Sequence, residues 1–373
     1  MSRFAFATPW LTLALALLCS GNTLCLAHPE ELVDSLMDRQ ERRRAMPREA
    51  DRFGEPLWEI DARVPFIGSP VHEQMTIASI NASGVHRRTY RLDYDDAYIH
   101  GVFWNDDPED LLCPECNGWN LRRFEKRWGL AFATRFDAAK KAARPAEGKT
   151  PAFFTVGSGL LERSHFGDLQ FLHGMAARDG EAAAVTQDRI LQWAELAYRV
   201  AIGDIPHSLR MDQIPIAEVR ALFAGDPALE GRTLEQLFKG KQRVKRVMIG
   251  SLLHIVQDSY APGHAERDVQ DFTDGAGAKV FSRGRIKRFH AYANQDPKLH
   301  AEDDRWPPGL ASSGAADRDD NPISVGARIL RYVYANEGDG APWPEVRSYL
   351  RDVVFAVTDP AAEADPGEKY CYR

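Results

Sequence analysis

The segment from Leu252 to Glu266 reads LLHIVQDSYAPGHAE and places His254, Asp258 and His264 in a His-x3-Asp-x5-His pattern. Residues four apart are neighbours on the surface of an α-helix, so we expect His254 and Asp258 on one face. The apolar residues around them are typical of a helix that is buried against other helices. A Pro-Gly dipeptide then ends this helix, and a loop can return His264 to the same cavity.

Imidazole and carboxylate groups on a buried helix predict a metal site, because both are zinc ligands. The alternative is a hydrogen-bonded His254–Asp258 pair in the core with an unrelated, exposed His264, since short ligand patterns also occur by chance. A second pair, His300 and Asp304, repeats the His-x3-Asp spacing further along the chain. Two such pairs in one chain favour the metal site.

The composition is that of a globular protein. The chain has 373 residues, of which 44% are hydrophobic and 27% are charged, enough for one large domain or two small ones. Long helical patterns with almost no alternating runs predict a mainly α fold, a single compact multi-helix domain around the predicted metal site. The pattern predicts a long core helix from Ala183 to Ile202, and Thr233 begins a capping box ahead of the central helix.

The N-terminus has the layout of a secretory signal peptide over residues 1–27, with one positive charge and an apolar core too short to span a bilayer. We expect cleavage after Ala27 and a secreted or periplasmic product without a transmembrane segment. Residues 28–57 are expected to form a charged arm or pro-segment, and residues 58–373 the α-helical domain. Cys113 and Cys116 are expected to form a local disulfide in an oxidising compartment, and Cys371 has no assigned partner.

Three other segments carry candidate ligands. In WNDDP an aspartate before proline indicates turn chemistry, so Asp107 is expected to be structural and Asp106 to be the site carboxylate. In SHFGDLQFLH the two histidines, His165 and His173, follow helical spacing near one apolar face, and His165 is the preferred ligand of the two. His72, at the start of a predicted helix, is either a ligand or simply a polar residue.

Together these motifs resemble the zinc-dependent phospholipase C and single-strand nuclease superfamily of secreted helical enzymes. The resemblance covers the motifs from His72 to Asp304, roughly two thirds of the chain, and the His-x3-Asp-x5-His pattern is its most specific element. LLHIVQDSYAPGHAER and WNDDP are most similar to the bacterial phosphatidylcholine-hydrolysing branch. The resemblance implies a cluster of two or three zinc ions in one cleft.

The resemblance also implies a ligand at each matched position. Asp258 corresponds to the carboxylate that bridges two zinc ions, and His264, His300 and Asp304 to the ligands of the outer zinc. The complete implied set is His72, Asp106, His165, His254, Asp258, His264, His300 and Asp304.

The N-terminus departs from the family. In the family, the first residue of the mature chain binds the third zinc shortly before the first histidine. Here cleavage after the signal peptide leaves residue 28 far upstream of His72. Either the arm is trimmed near residue 58, or the third metal is bound differently or not at all.

The implied function is that of a secreted zinc-dependent phospholipase C that hydrolyses phospholipid, preferably phosphatidylcholine, to diacylglycerol and a phosphorylated headgroup. Zinc lowers the pKa of water and stabilises negative charge at phosphorus, and Asp106 would orient or deprotonate the attacking water. The alternatives are a zinc-dependent single-strand nuclease, which would share the metal site, and a non-catalytic metal-stabilised binding domain. The net charge of −7 favours a phospholipid partner at a membrane surface over a stable nucleic-acid complex. We expect a monomer.

Overall fold

The computed structural model describes residues 71–86, 96–112, 126–144, 149–229, 231–239, 243–269, 272–273, 279–280, 283–297, 299–300, 321–336 and 339–371. The predicted signal peptide and the charged arm lie outside these residues. So do Asp304 and the predicted disulfide between Cys113 and Cys116. No helix in the described ranges is long and apolar enough to cross a lipid bilayer.

The described part of the chain is mainly helical, which confirms the mainly α part of the predicted fold class. Its α-helices are α1 (Val71–Ser83), α2 (Ala97–Asp106), α3 (Lys126–Ala143), α4 (Leu160–Phe166), α5 (Ala183–Ile202), α6 (Ala217–Phe223), α7 (Leu234–Leu237), α8 (Val244–Asp258), α9 (Pro322–Val333) and α10 (Trp343–Tyr349). The predicted bounds of α5 are correct, and α10 continues into a π-helical turn at Leu350–Val354. The capping box is also confirmed, with Thr233 and Gln236 bonded in both directions.

Helix α8 lies at the centre of the core. It is apolar on nearly every side, and a helix of that kind is buried by its neighbours. Helices α2 and α5 pack against it, while α9 packs mainly against α1. Trp104 of α2 stacks on Trp193 of α5 with 5.8 Å between ring centroids, and the Trp193 indole N–H donates to Ser251 Oγ of α8 at 3.1 Å. The helix that carries the central motif is therefore held from two sides.

A small β-hairpin follows the central helix. Strand β1 (Ala265–Val269) pairs antiparallel with β4 (Arg283–Phe289), and β2 (Phe272–Thr273) pairs with β3 (Lys279–Val280). The sequence patterns predicted no strands here. Strand β4 has its buried residues, Ile286 and Phe289, three positions apart, and a shift in the register between them lets both face the core.

Arg267 of β1 fixes the end of α8. Its buried guanidinium donates to the carbonyl oxygen of Ser259 at 2.7 Å and to that of Val354, in the π-helical turn, at 2.8 Å. It also lies over the ring of Tyr260, 4.1 Å from the centroid. Carbonyl oxygens at a helix end need donors, and Arg267 supplies one beside Asp258.

The predicted continuous helix through His165 and His173 is wrong. Helix α4 ends at Phe166, the chain breaks at Gly167, and a separate 3₁₀ turn covers Gln170–His173. A β-carbon on Gly167 would lie 2.0 Å from the carbonyl oxygen of Phe154, so only glycine allows this close approach. The two histidines are thus held by different elements.

Candidate metal centre

The central motif converges as its spacing predicts. His254 and Asp258 are buried on one face of α8, with His254 Nε2 2.9 Å from Asp258 Oδ2. After the helix ends, the chain turns back and brings His264 Nδ1 to 3.6 Å from the same oxygen. The peptide N–H of His290, just past β4, donates to the carbonyl oxygen of His264 at 2.9 Å. The hairpin therefore holds His264 next to His254 and Asp258.

His72 approaches Asp258 from the other side. Its Nε2 lies 3.2 Å from Asp258 Oδ1, and its ring centroid is 4.4 Å from that of His254. The two oxygens of Asp258 therefore face different histidines, Oδ1 towards His72 and Oδ2 towards His254. A carboxylate that serves two metal ions needs this arrangement.

The two adjacent aspartates at the end of α2 point in different directions. Asp106 Oδ1 lies 3.8 Å from His254 Nε2, and the Asp106 side chain is 32% exposed, against 2% for Asp258. Asp107 instead accepts the backbone N–H groups of Leu111 and Leu112, each at 2.8 Å. Burial raises the pKa of Asp107 to about 7, against the effect of these two hydrogen bonds. Asp107 therefore makes the structural contacts predicted for it, whereas Asp106 faces His254 and His173.

His173 occupies a more central position than the sequence analysis gave it. Its Nδ1 lies 3.1 Å from Asp258 Oδ2, 3.2 Å from His254 Nε2 and 3.8 Å from Asp106 Oδ1. The ring of His165 is next to it, 4.7 Å between centroids. The sequence feature that could have indicated His173 was the large number of potential metal ligands in the segment SHFGDLQFLH. Residue spacing could not show that the break after α4 turns His173 towards the cluster.

His264 and His300 form an outer pair, with 4.7 Å between ring centroids. His300 Nδ1 donates to Gln295 Oε1 at 2.7 Å. Gln295 is buried, and its amide group donates to the carbonyl oxygens of Gly263 at 2.6 Å and Pro366 at 2.8 Å. Two of the three ligands implied for the outer zinc are therefore adjacent, and the third, Asp304, lies outside the described residues.

Hydrogen bonds set the tautomer of several rings. Carbonyl oxygens only accept, so a ring nitrogen bonded to one must carry the hydrogen. His165 Nδ1 donates to the carbonyl oxygen of Leu161 at 3.0 Å and His264 Nδ1 to that of His173 at 2.7 Å. His300 donates to Gln295 as described above. In the neutral form of each ring Nε2 therefore carries the lone pair, which is how metal-binding histidines are commonly held.

His72 is oriented in the same way. Its Nδ1 lies 3.0 Å from Gln257 Oε1, and the Gln257 amide donates to Thr76 Oγ1 at 2.9 Å. Because the Gln257 nitrogen is committed to Thr76, its oxygen accepts from His72. His72 Nε2, the atom near Asp258, therefore carries the lone pair.

The cluster concentrates charge around Asp258. Burial raises the pKa of Asp258, but the neighbouring histidines, His254 foremost, outweigh it and hold that pKa well below its ordinary value. Burial lowers the pKa of His254, yet Asp258 and Asp106 raise it overall to about 9. Burial, together with the charge of His173, keeps the pKa of His165 well below its ordinary value. A buried carboxylate of this kind requires a positive charge beside it.

The donor chemistry fits zinc. The described residues bring together two groups with donor atoms within 4.8 Å of one another: His72, His254 and Asp258, and Asp106, His165 and His173. Imidazole and carboxylate donors without thiolates are typical of catalytic rather than structural zinc sites. His254 Nδ1 and His173 Nε2 are buried and have no hydrogen-bond partner among the described residues. Both rings direct their other nitrogen to the cluster, so the residues present fit a metal ion.

Comparisons with known proteins return no match, whether with family models, curated proteins or solved structures.

Proposed function

We propose that this protein is a secreted zinc-dependent phosphodiester hydrolase of the phospholipase C type. The main support is the convergence of His72, His173, His254 and His264 on the one buried carboxylate of Asp258. Burying so many polar rings costs free energy unless they are paired or bind a metal. A metal centre accounts for this arrangement better than a structural network does.

Most of the site residues would only hold zinc, whereas Asp106 would both hold zinc and take part in the reaction. His72, His254, Asp258 and the outer pair would hold zinc. Zinc bound there supplies Lewis acidity, which lowers the pKa of water and neutralises negative charge on a phosphoryl group. Asp106 is the more exposed carboxylate of the cluster, so one of its oxygens is placed to accept a proton from an attacking water. Asp258 is too buried for that role and is assigned to holding the metal.

A loop beside the candidate site favours lipid as the substrate. Residues 149–158, KTPAFFTVGS, contain no acidic residue and lead into α4, which carries His165. Phe153 and Val156 on this loop are 44% and 37% exposed. Phe154 packs inwards against the buried cluster of Ala139, Ala143 and Phe166, so the loop is anchored while its apolar neighbours face outwards. Exposed apolar side chains at a binding site are common where a protein contacts a membrane or an apolar partner.

The experiment is a substrate comparison on the purified, zinc-loaded protein. We expect release of phosphocholine from phosphatidylcholine vesicles, and loss of that release in Asp106→Asn. Single-stranded DNA is the second substrate, and cleavage of DNA without hydrolysis of lipid would replace this proposal with a nuclease. Hydrolysis of neither substrate would reject both enzymatic functions.

The loop can be tested separately with Phe153→Asp. This variant should lower hydrolysis of vesicles and leave hydrolysis of a soluble short-chain phosphatidylcholine unchanged, because only the vesicle presents an interface. The exposed Val185 on α5 provides a matched control through Val185→Asp. Equal loss with both variants, or on both substrates, would remove the assignment of the loop to a lipid surface.

A further inference from the structure

We infer that His173 binds the buried metal ion directly through Nδ1, together with Asp106, His254 and Asp258. The sequence resemblance gives that place to His165 instead. The inference concerns metal binding, so it rests on the metal site of the proposed function and not on the substrate.

The separations of the four donor atoms carry this inference. His173 Nδ1 lies 3.1 Å from Asp258 Oδ2, 3.2 Å from His254 Nε2 and 3.8 Å from Asp106 Oδ1. His254 Nε2 lies 2.9 Å from Asp258 Oδ2 and 3.8 Å from Asp106 Oδ1. Ligands of one tetrahedral zinc, with bonds of about 2.0–2.1 Å, stand about 3.3 Å apart. The five separations, from 2.9 to 3.8 Å, lie around this value, as expected for ligands of one ion.

Hydrogen bonding alone does not explain this spacing. His173 Nδ1 and His254 Nε2 both point at Asp258 Oδ2 and lie 3.2 Å from each other. If both nitrogens carried hydrogens to bond that oxygen, the two hydrogens would also face each other. If either nitrogen lacked its hydrogen, its lone pair would face the carboxylate. A cation among these atoms satisfies both lone pairs and the carboxylate together.

His165 is less well placed for the same role. Among the described residues it has no carboxylate oxygen within 4.0 Å, whereas His173 has two. Its ring is next to that of His173, with 4.7 Å between centroids. Its donor nitrogen groups with donor atoms of Asp106 and His173 inside 4.8 Å, without a carboxylate contact as short as those of His173. We therefore place His165 next to His173 and outside the four-donor set.

The chain holds His173 from three directions. Its carbonyl oxygen accepts from His264 Nδ1 at 2.7 Å. The preceding carbonyl, of Leu172, accepts from the buried amide of Asn105 at 2.6 Å, next to Asp106. The following residue, Gly174, has φ 60°, and a β-carbon there would lie 3.1 Å from the peptide nitrogen of Ser259 at the end of α8. The backbone of His173 is thus fixed to the elements that carry the other three donors.

Zinc content of variants tests the inference. Glutamine and asparagine place a side-chain oxygen at about the reach of Nε2 and Nδ1 respectively. We expect His173→Gln to lose one zinc per chain and His173→Asn to retain part of it, while His165→Gln keeps the ion. His207→Gln is the control, because His207 is half exposed and paired with Glu235. Full zinc content in His173→Gln, or loss in His165→Gln alone, would overturn the inference.

Two further measurements keep the test independent of folding and of catalysis. Circular dichroism with excess chelator should show the same helicity in the variants and in the unsubstituted protein. In the unsubstituted protein, peptide-level mass spectrometry can follow exchange of each imidazole C2 hydrogen with and without zinc. Zinc should slow exchange at His173 more than at His165. Exchange at His173 that does not respond to zinc would overturn the inference even if the enzyme is active.

Discussion

The backbones of Gly101 in α2 and Gly250 in α8 lie in direct contact. A β-carbon on Gly250 would stand 2.8 Å from the Cα of Gly101 and 2.1 Å from the carbonyl oxygen of Tyr98. Only the hydrogen side chain of glycine fits between the two helices at this point. Asp106 and His254 follow about one turn further along their respective helices. The two glycines therefore set how far apart the helices hold Asp106 and His254.

Replacing Gly250 with alanine should separate the two helices. Overpacking of a core typically costs about 1–3 kcal/mol, whereas alanine in an uncrowded helix would add about 1 kcal/mol of stability over glycine. We expect a net loss of unfolding free energy in urea and weaker zinc binding. A variant as stable as the original protein would show that the contact does not limit the spacing.

Asp106 and Asp258 should respond differently to loss of charge. Asp258→Asn removes the buried carboxylate that four histidines approach, so zinc content should fall and activity should follow it. Asp106→Asn should keep much of the zinc and lower kcat by about 10²–10⁴-fold, the usual contribution of a general base. Zinc per chain and kcat, measured on both variants, separate the roles. Turnover near the original value in Asp106→Asn would reject its assignment as the catalytic group.

Gln295 should control the outer histidine pair without binding metal itself. Gln295→Leu removes the acceptor that fixes the tautomer of His300, and loss of such a partner typically weakens metal affinity about 10–100-fold. Zinc titration against a competing chelator measures the effect. Gln187→Leu is a matched control, because Gln187 also donates to two carbonyl oxygens, those of Arg351 and Phe355, but does not contact a histidine. Equal affinities in the two variants would contradict the positioning role.

Asp110 should make the free energy of unfolding depend on pH. Burial raises its pKa, but His100 and Lys239 outweigh burial and hold the pKa below its ordinary value. A depressed pKa in the folded state stabilises the protein above the unfolded value of about 3.9, and that contribution disappears as pH falls further.

The test for Asp110 is Asp110→Asn, which suits the positive φ of 51° at this position. It should lower the unfolding free energy at pH 6 by about 1–3 kcal/mol. The difference from the unsubstituted protein should shrink as pH falls through 4 to 3. Asp137→Asn, at an exposed pair with Lys141, should cost only about 0.3–0.5 kcal/mol. A constant difference across this pH range would contradict the assignment.

Local patterns were sufficient to predict a mainly helical fold and the shared face of the central motif. Ala183–Ile202 and the face shared by His254 and Asp258 follow from apolar periodicity, because a buried helix repeats its core contacts every turn. The preference of an aspartate before proline for a turn predicts the backbone hydrogen bonds that Asp107 accepts.

Features that depend on distant contacts were not predictable. The hairpin was missed because a register shift, not strict alternation, buries Ile286 and Phe289. His173 was ranked below His165 because the break at Gly167 depends on how closely the carbonyl of Phe154 approaches it. The sequence around Gln295 did not indicate its positioning role, because that role depends on contacts with His300 and with the carbonyl oxygen of Pro366.

Removal and return of zinc tests the central claim most directly. The measurement is phosphocholine release from phosphatidylcholine vesicles by the purified protein before dialysis, after dialysis against a strong chelator, and after zinc is added back. Imidazole and carboxylate donors bind zinc reversibly, so we predict that dialysis abolishes release and that zinc restores it. Undiminished release by protein shown to be free of metal would contradict the account.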